Sequence, residues 1–307
     1  MLTKRELIMA STESSYDSDA SPGDSDAILV QNLSANPAEG ARMNERPATR
    51  SSLGALQHLY GGTLMSLSFD VELKGSGELG VEPEWGVLMK GCGLAETVDA
   101  DTDVRYAPAS SDHDSLTIYY NQDGVVYKLT GARGSVSVNL ETGQAGMLSF
   151  NFTGHVTRED QDLPDPTFDD VVPPAVKGGD FTIGGYSAVI SAFSFDLNNE
   201  VVTPPDLSAE DGYGEIRITG RDVSGSIDPE MTDLSTNDWL GDWESGESMS
   251  LDTGEIGSSE GNRIQITAPA VYYREPSFGE RDGIRIAELS CGLAESDTDD
   301  EFEIVLT

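Results

Sequence analysis

The chain has 307 residues, and its 18 Lys and Arg against 55 Asp and Glu give a formal net charge of −37. This acidity excludes a conventional nucleic-acid binder, whose affinity comes from cationic groups that displace counterions, and it excludes a binder of anionic lipid. It suits a protein that stays soluble in a salty medium, or a negative surface past which DNA slides without sticking. Thirty-three glycines among Ser, Thr and β-branched stretches predict an all-β protein with many turns, long enough for two domains.

Residues 1–62 predict an N-terminal arm, a first strand and a long loop. The apolar run "LIMA" (7–10) is too short for a signal-peptide core, and no stretch approaches the ~18 apolar residues of a membrane span. We therefore expect a protein that is made in a reducing cytoplasm. Residues 11–27 are rich in Ser and Asp and predict a flexible arm or a loop, residues 28–33 predict a strand, and residues 35–62 predict an irregular loop.

Alternating apolar and polar residues predict a first β-module over residues 63–156. In "SLSFDVEL", Leu67, Phe69 and Val71 face one side, as in a sheet that is buried on one face only. The polar side chains of the same strand are Ser66, Ser68, Asp70 and Glu72. A short helix is predicted within residues 83–96, and two hairpins are predicted to turn at residues 123–124 and 143–146.

A second β-module is predicted over residues 181–307, after a linker at residues 157–180 that holds four prolines and seven acidic residues. "SAFSFDLNN" (191–199) resembles the earlier "SLSFDVEL", and its polar residues are Ser194, Asp196 and Asn198. A short helix follows within residues 235–246, with Ser235 or Asn237 as its N-cap, and terminal strands follow the helix. The repeated order of strand, helix and strands predicts a domain-scale duplication.

The pentapeptide "CGLAE" occurs at residues 92–96 and again at 291–295, and it contains the only two cysteines of the sequence. The first copy is predicted to close a helix and the second to close a strand, so the two positions are not equivalent. Two cysteines in a reducing compartment behave as small buried hydrophobes, and we expect no disulfide, no metal site and no cofactor.

Three further sequence patterns suggest a binding or catalytic site, but each lacks features that such a site requires. Gly75-x-Gly77-x-x-Gly80 matches a dinucleotide fingerprint, but its strand alternates and its acidic neighbours would repel a pyrophosphate. The run 99–103 resembles the start of a calcium loop, but Val104 replaces the required glycine. The three histidines have neither metal-ligand nor nucleophile spacing. The sequence therefore predicts no catalytic residues.

Taken in order, these segments resemble the tail tube proteins of long-tailed, siphovirus-type phages. The similarity is carried by "LTKRELIMASTESSYDSD", "GTLMSLSFDVELKGSGELGVEPEWGVLMKGCGLAET", "LTIYYNQDGVVYKLTGARGSVSVNLETGQAGMLSFNFTG" and "PSFGERDGIRIAELSCGL". The acidity and the Asp-rich insertions depart from the pattern. The resemblance implies two tandem β-sandwich or barrel-like tube modules, each with a short flanking helix, that assemble as stacked rings around passing DNA. It also implies that the long inter-subunit loop at residues 35–62 and the acidic arm are candidates for contacts between stacked rings.

This resemblance also sets the expected partners and location. A two-module chain implies a ring of three protomers with pseudo-sixfold symmetry, with tape-measure, tail-terminator and distal tail proteins as neighbours in a virion tail assembled in the host cytoplasm. We predict that the lumen is lined by Ser66, Ser68, Asp70, Glu72, Ser194, Asp196 and Asn198. An outer, solvent-facing strand would show the same alternation and is the alternative for these residues. The acidity favours a marine or haloarchaeal habitat. The alternative is a secreted, calcium-dependent β-sandwich adhesin or carbohydrate-binding module.

Overall fold

The computed structural model describes residue 2 and residues 5–307, so Met1, Thr3 and Lys4 of the predicted arm lie outside the described residues. Nearly all regular structure is antiparallel β-strand, which confirms the all-β prediction. The strands are β1 Glu6–Thr12, β2 Ala27–Ile28, β3 Gln31–Glu39, β4 Met43–Asn44, β5 Leu59–Tyr60, β6 Leu64–Glu72, β7 Leu94–Asp99, β8 Asp103–Pro108, β9 Leu116–Gln122, β10 Gly124–Glu141, β11 Met147–Gln161, β12 Thr182–Ile183, β13 Tyr186–Ser187, β14 Ala192–Asp196, β15 Val201–Val202, β16 Arg217–Ile218, β17 Ser224–Ile227, β18 Met249–Asp252, β19 Ile264–Arg281, β20 Ile284–Ala294 and β21 Glu303–Leu306. The helices are α1 Gly86–Gly91, α2 Trp239–Ser245 and one 3₁₀ turn, Asp24–Asp26.

Eight of these strands form one continuous antiparallel sheet, in the order β3-β6-β11-β10-β14-β17-β20-β19. Its first four strands and its last four strands have the same order, since in each set two shorter strands precede a long hairpin. The sets are joined where β10 pairs with β14, from Ser137 opposite Asp196 to Glu141 opposite Ala192. The division into two modules stays a prediction, but a shared sheet connects the two sets.

The long strands β10 and β19 leave this sheet at β-bulges. The register of β10 against β11 shifts between Thr130 and Arg133, and that of β19 against β20 shifts between Tyr273 and Glu275. Before its bulge, β10 pairs with β9, which also pairs with β1, while the first part of β19 pairs with β18 and β21. Bulges bend a strand, so one part of each long strand lies in the eight-stranded sheet and the other part pairs with strands outside it.

One hydrophobic core lies against one face of the eight-stranded sheet. Phe69, Phe150 and Phe152 stack with ring centroids about 6 Å apart, and Phe193 and Phe195 continue the same buried cluster across the β10–β14 join. Burying an aromatic side chain contributes several kcal/mol of apolar transfer free energy, which makes this cluster the main source of stability.

Both predicted short helices are confirmed, with tighter bounds. In and beside α1, Trp85, Leu88 and Met89 are fully buried, and the Trp85 Nε1 donates a hydrogen bond to the Lys74 carbonyl. The predicted N-cap of α2 is wrong: Asp238, rather than Ser235 or Asn237, accepts the hydrogen bond from the Gly241 amide. The Asp238 carboxylate reaches this amide because it lies directly before the first helical residue.

Several boundaries near the N-terminus differ from those predicted. The strand predicted at 28–33 is divided between β2 and β3, and β3 occupies the first part of the predicted loop 35–62. The segment 11–27 is not a free arm, because the buried carboxylate of Glu13 accepts hydrogen bonds from Ser115, Thr117 and the Gly131 amide. Four hydrogen bonds in total, the last from the Asp17 amide, balance the cost of burying this charge.

The sequence similarity between "SLSFDVEL" and "SAFSFDLNN" does not match the strand order. The first segment forms β6, which pairs with β3 and β11, and the second forms β14, which pairs with β10 and β17. By position in the sheet, β14 corresponds to β3 and β17 corresponds to β6. Both segments alternate because each has one buried face, which any strand of this sheet requires.

Candidate functional site

The side of the eight-stranded sheet that faces away from the core is a continuous polar surface, which we call the polar face. Its side chains are half-buried or exposed, and they alternate along each strand with fully buried residues. The polar face consists of Ser66, Ser68, Asp70, Glu72, Ser135, Ser137, Asn139, Ser149, Asn151, Ser194, Asp196, Ser224 and Ser226. Its centre is a shallow groove of about 480 Å³.

Six of the seven predicted lumen residues lie on the polar face, and the structure brings the two predicted sets together. Asp70 lies opposite Ser149, Ser149 opposite Ser137, and Ser137 opposite Asp196, so one row of paired residues crosses four strands. The seventh, Asn198, follows β14, and its Nδ2 donates to the Ser224 Oγ at 2.7 Å. That this face lines a lumen remains a prediction.

The sequence-based list omits the residues that connect the two predicted sets. Ser137 and Ser149 lie in β10 and β11, where the same alternation was visible but was not used to choose lining residues. Ser224 and Ser226 belong to β17, which has only four residues and is too short for a periodic pattern to identify.

Short polar side chains of the polar face form hydrogen bonds across the strands. The Asp70 carboxylate accepts hydrogen bonds from the Ser149 Oγ at 2.5 Å and from the Asn32 Nδ2 at 2.7 Å. The hydroxyls of Ser194 and Ser226 lie 2.9 Å apart. No Lys or Arg occurs in β6, β14 or β17, or within residues 135–141 and 147–153, all of which are described. The surface offers hydroxyls, amides and a few carboxylates, but no cation.

The sheet ends in two unpaired strand edges. Among the described residues, β3 pairs only with β6, and residues 275–281 of β19 pair only with β20. Both edges present backbone N–H and C=O groups without partners, and such edges are templates for pairing with another chain. Phe278 on the β19 edge is 56% exposed.

An ion pair braces the sheet beside the β10–β14 join. Burial acts to raise the pKa of Asp228, but hydrogen bonds from the Ser191 hydroxyl and from the Ser191 and Ala192 amides, together with the Arg281 guanidinium, hold this pKa below its usual value. The carboxylate therefore fastens the start of β14 to the β19–β20 hairpin.

The acidic motifs do not form an open cation site. Arg105 makes a bidentate pair with Asp103 at 2.9 and 2.8 Å, and these hydrogen bonds lower the pKa of Asp103. Within residues 2 and 5–307, one group of three carboxylates, Glu295, Asp299 and Glu301, could share an ion. The guanidinium of Arg221 already contacts this group, at 2.6 Å from both Asp299 and Glu301.

The glycine-rich turn and the cysteines have structural roles. A Cβ atom would lie 2.0 Å from the Gly261 carbonyl oxygen at Gly75 and 2.5 Å from the Asp101 amide nitrogen at Gly80, so both positions require glycine for close backbone packing. Cys92 and Cys291 are free and buried, as predicted, and burial raises the pKa of the Cys291 thiol to about 11. Trp85 and Trp239 are also buried, so they cannot form the aromatic platform of a carbohydrate-binding module.

The chain belongs to a family of phage proteins. The family described as phage tail tube protein matches residues 3–292, which is nearly the whole chain. Comparison with curated proteins finds no match. Membership defines a structural protein of the phage tail, in a family that is not known as enzymatic, and tail tube proteins assemble with themselves into the tube. No helix within the described residues has the length and apolarity needed to cross a membrane.

Proposed function

We propose that three copies of this chain close into a ring and that the rings stack into the hollow tube of a siphovirus tail, through which the genome is ejected. The observation that carries the proposal is the polar face, which is continuous over five neighbouring strands from both halves of the chain and belongs to an eight-stranded sheet with two open edges. A sheet with one buried face, one hydrated face and free edges is suited to extension by identical neighbours.

The join between β10 and β14 is our template for the contact between protomers. Because β14 corresponds to β3 and β19 corresponds to β10, the same join repeated between chains pairs β19 of one protomer with β3 of the next. This contact is heterologous, and six equivalent joins close a ring, three within chains and three between chains.

The ring size is compatible with DNA passage. Three chains contribute 24 strands, and at a spacing of about 4.8 Å these give a circumference of roughly 115 Å and a backbone diameter of about 37 Å. Side chains take about 5 Å from each side, and strand tilt widens the bore further. The polar face then surrounds the DNA with hydroxyls and carboxylates, and the polyanion is not held because no counterion-releasing cation is present.

Partners and setting follow from the family and are part of the proposal. A tail tube runs between a terminator and a distal tail protein and surrounds a tape-measure protein, so we assign these as partners in a tail assembled in the host cytoplasm. The charge of −37 opposes association of identical chains at low ionic strength, and salt screens such repulsion. Assembly is therefore expected to require salt, as in a marine or haloarchaeal host.

The direct test is electron microscopy of the purified chain in low salt and in molar salt. We expect rings or hollow tubes with threefold modulation, more abundant in high salt. A monodisperse monomer under both conditions, even when concentrated, would overturn the proposal.

A second test asks which surface lines the bore. The native cysteines are buried, so Ser226→Cys gives a single reactive thiol on the polar face and Thr97→Cys gives one on the exposed β7. A maleimide attached to a bulky polymer should label both variants as free protomers. In assembled tubes it should label only Thr97→Cys; equal labelling of both variants would remove the polar face from the lumen.

A further inference from the structure

A buried lysine lies against a buried carboxylate at the end of β6. Of the lysines that the structure describes, only Lys74 is buried, at 3% exposed. Its Nζ is 3.3 Å from the Oε1 of Glu84, whose side chain is 13% exposed. The indole of Trp85 lies beside the pair, since its Nε1 donates to the Lys74 carbonyl. An amine and a carboxyl group are therefore held in contact away from bulk water.

This pair is poorly satisfied as an ion pair. Among the described residues, the Oε1 of Glu84 is a buried atom without a hydrogen-bond partner. The hydrogen bond that this carboxylate accepts from the Leu29 amide therefore belongs to Oε2. Burial raises the pKa of Glu84 above its usual value, although the Lys74 ammonium acts in the opposite direction. Attraction offsets the desolvation of a buried ion pair only when the remaining lone pairs are also satisfied, so the ionic form contributes little here.

An amide bond between the two side chains fits the same surroundings better. The Oε1 of Glu84 is the oxygen next to Nζ and the one without a partner, and it would leave as water. Oε2 would remain as the amide oxygen and keep the hydrogen bond from Leu29. The new amide N–H would donate to the Asp169 carbonyl, which already lies 3.3 Å from the Lys74 Nζ. The product is neutral, and each of its polar atoms has a partner.

We infer that Lys74 and Glu84 join in an intramolecular isopeptide bond once the chain has folded. A proton passes from the ammonium to the carboxylate, which gives a neutral amine and a carboxylic acid. The amine lone pair attacks the Cδ of Glu84 and the Cδ–Oε1 bond breaks. Oε1 leaves with the acid proton and one amine proton as a single water molecule. Ammonium plus carboxylate equals amide plus water, so the reaction consumes no other reactant.

The fold supplies what this condensation requires. Fixed contact between two reacting groups raises their effective concentration far above that of free groups in solution. A site away from water disfavours both charges and so favours the neutral amine, which is the nucleophile, and the neutral acid. Neither condition exists in the unfolded chain, so the bond should form only after folding.

The bond would close a covalent loop over residues 74–84, which contains the glycine-rich turn. The Gly75 amide donates to the Oδ1 of Asn262 at 2.9 Å, so this turn rests on the second half of the chain. A covalent loop stabilises a protein mainly by restricting the unfolded chain. The cross-link would thus strengthen the contact between the two halves, whether or not the chain is assembled.

Intact-mass spectrometry of the folded chain tests the inference directly. We expect a mass that is one water below that of the sequence, after correction for any removal of Met1. In a trypsin digest, residues 51–90 should appear as one peptide that has lost one water, because trypsin does not cleave after an acylated lysine. A chain of full sequence mass that trypsin cleaves after Lys74 would overturn the inference.

Two lysine variants show where the water is lost. Lys74→Arg keeps the positive charge, but a guanidinium stays protonated and is no nucleophile, so this variant should have its full mass. Lys90→Arg is the matched control. The Lys90 Nζ is 2.5 Å from the Oε1 of Glu96, but Lys90 is 24% exposed and the other Glu96 oxygen accepts from the Tyr106 hydroxyl. Lys90→Arg should therefore still lose one water. A loss that persists in Lys74→Arg, as from a succinimide at an Asp-Gly pair, would contradict the inference.

Refolding tests the dependence on the fold. Chains recovered from inclusion bodies in denaturant should have the full sequence mass and should lose one water after dilution into native buffer. Because the reaction is intramolecular, its rate should not depend on protein concentration. Loss of water while the chain is still in denaturant would show that the folded contact is not its cause and would overturn the inference.

Discussion

Two connections occupy corresponding places in the sheet, but one projects into solvent and the other packs against the body of the protein. Residues 40–63 join β3 to β6, and residues 197–223 join β14 to β17, at the same end of the eight-stranded sheet. The first, the hairpin, projects with exposed apolar side chains. The second, which we call the folded connection, buries Tyr213 and Ile216 against the body of the protein.

Arg133 is the main anchor of the folded connection. It lies at the β10 bulge, is 8% exposed, and its guanidinium donates to the Ile216 carbonyl at 2.5 Å and to the His113 carbonyl at 2.8 Å. It also pairs with Glu215 at 3.0 Å. A second anchor is a chain of hydrogen bonds in which His155 lies between Asp211, at 2.6 Å, and the Tyr16 hydroxyl, at 2.9 Å.

Within the part of the chain that the structure describes, the hairpin has contacts of this kind only at its base. Arg42 stacks 3.8 Å from the Tyr213 ring and donates to the Gly212 carbonyl, so the hairpin rests on the folded connection. Of the two connections with corresponding places in the sheet, one therefore packs against its own chain and the other is exposed. Substitutions of the same residue type in the two connections should show this difference.

The largest difference is expected for buried and exposed aliphatic residues. Ile216→Ala should lower the free energy of unfolding by about 2–4 kcal/mol, because a fully buried side chain is replaced by a cavity. Leu53→Ala should change it by less than about 0.5 kcal/mol. Urea denaturation of both variants measures the contrast, and equal losses would show that the hairpin is also packed in the monomer.

The second-largest difference in unfolding free energy is expected for replacement of a buried and of an exposed arginine. Arg133→Met should cost about 2–3 kcal/mol of unfolding free energy, since it removes a buried guanidinium and leaves the carbonyls of His113 and Ile216 without a donor. Arg46→Met should be nearly neutral in the unassembled chain. The comparison requires unfolding curves below the salt concentration at which rings form; a neutral Arg133→Met would refute its anchoring role.

A smaller effect is expected for tyrosine. The Tyr16 hydroxyl accepts a hydrogen bond from the Ile216 amide at 2.7 Å as well as contacting His155. Tyr16→Phe leaves that amide unpaired and should cost about 1–2 kcal/mol. Tyr60→Phe, at a 61% exposed position, is the matched control and should leave the unfolding midpoint unchanged. If the two variants behave alike, the hydrogen-bond chain does not hold the folded connection.

The smallest effect is a pH dependence carried by Glu215. The hydrogen bond from Arg133, together with that from Arg217, lowers the pKa of this carboxyl below its usual value of about 4.5. Its contribution to stability is therefore present above pH 4.5 and is lost as the pH falls through the lower folded-state pKa. Glu215→Gln should cost under about 1 kcal/mol at pH 7, because the group is partly exposed and screened.

The same Glu215→Gln difference should vanish toward pH 3, which thermal unfolding across pH 3–7 would show. Glu45→Gln, whose carboxylate has no ion pair within the described residues, is the control in the hairpin and should show no such trend. A Glu215 difference that persists at low pH would mean that the lost contact is not electrostatic.

Only part of this arrangement could be predicted from the sequence. Alternation identified β6 and the long hairpins, and Asp123-Gly124 marked a turn that the structure confirms. The join between β10 and β14 was not visible, because pairing partners distant in sequence leave no local pattern. The equivalence of β14 with β3 was also missed, since the similar Ser-Phe-Asp segments indicate the same burial pattern rather than the same place in the sheet.

The contacts that anchor the folded connection could not be predicted from the sequence either. Arg133 and Ile216 are 83 residues apart, and nothing around either residue indicates that they meet. Asp211, His155 and Tyr16 come from three segments, so their contact could not be predicted from spacing. The exposure of Leu53 was equally hidden, because a leucine in a loop can be buried or exposed depending on what folds over it.

By itself, the sequence determined the charge, the all-β class, the two short helices and which side of each long strand is polar, because these depend on composition and on a two-residue period. The tertiary structure decided that the polar sides of five neighbouring strands form one surface, and that one connection is folded while its counterpart projects. Those outcomes depend on hydrogen bonds and burial between residues far apart in the chain, which only the folded arrangement brings together.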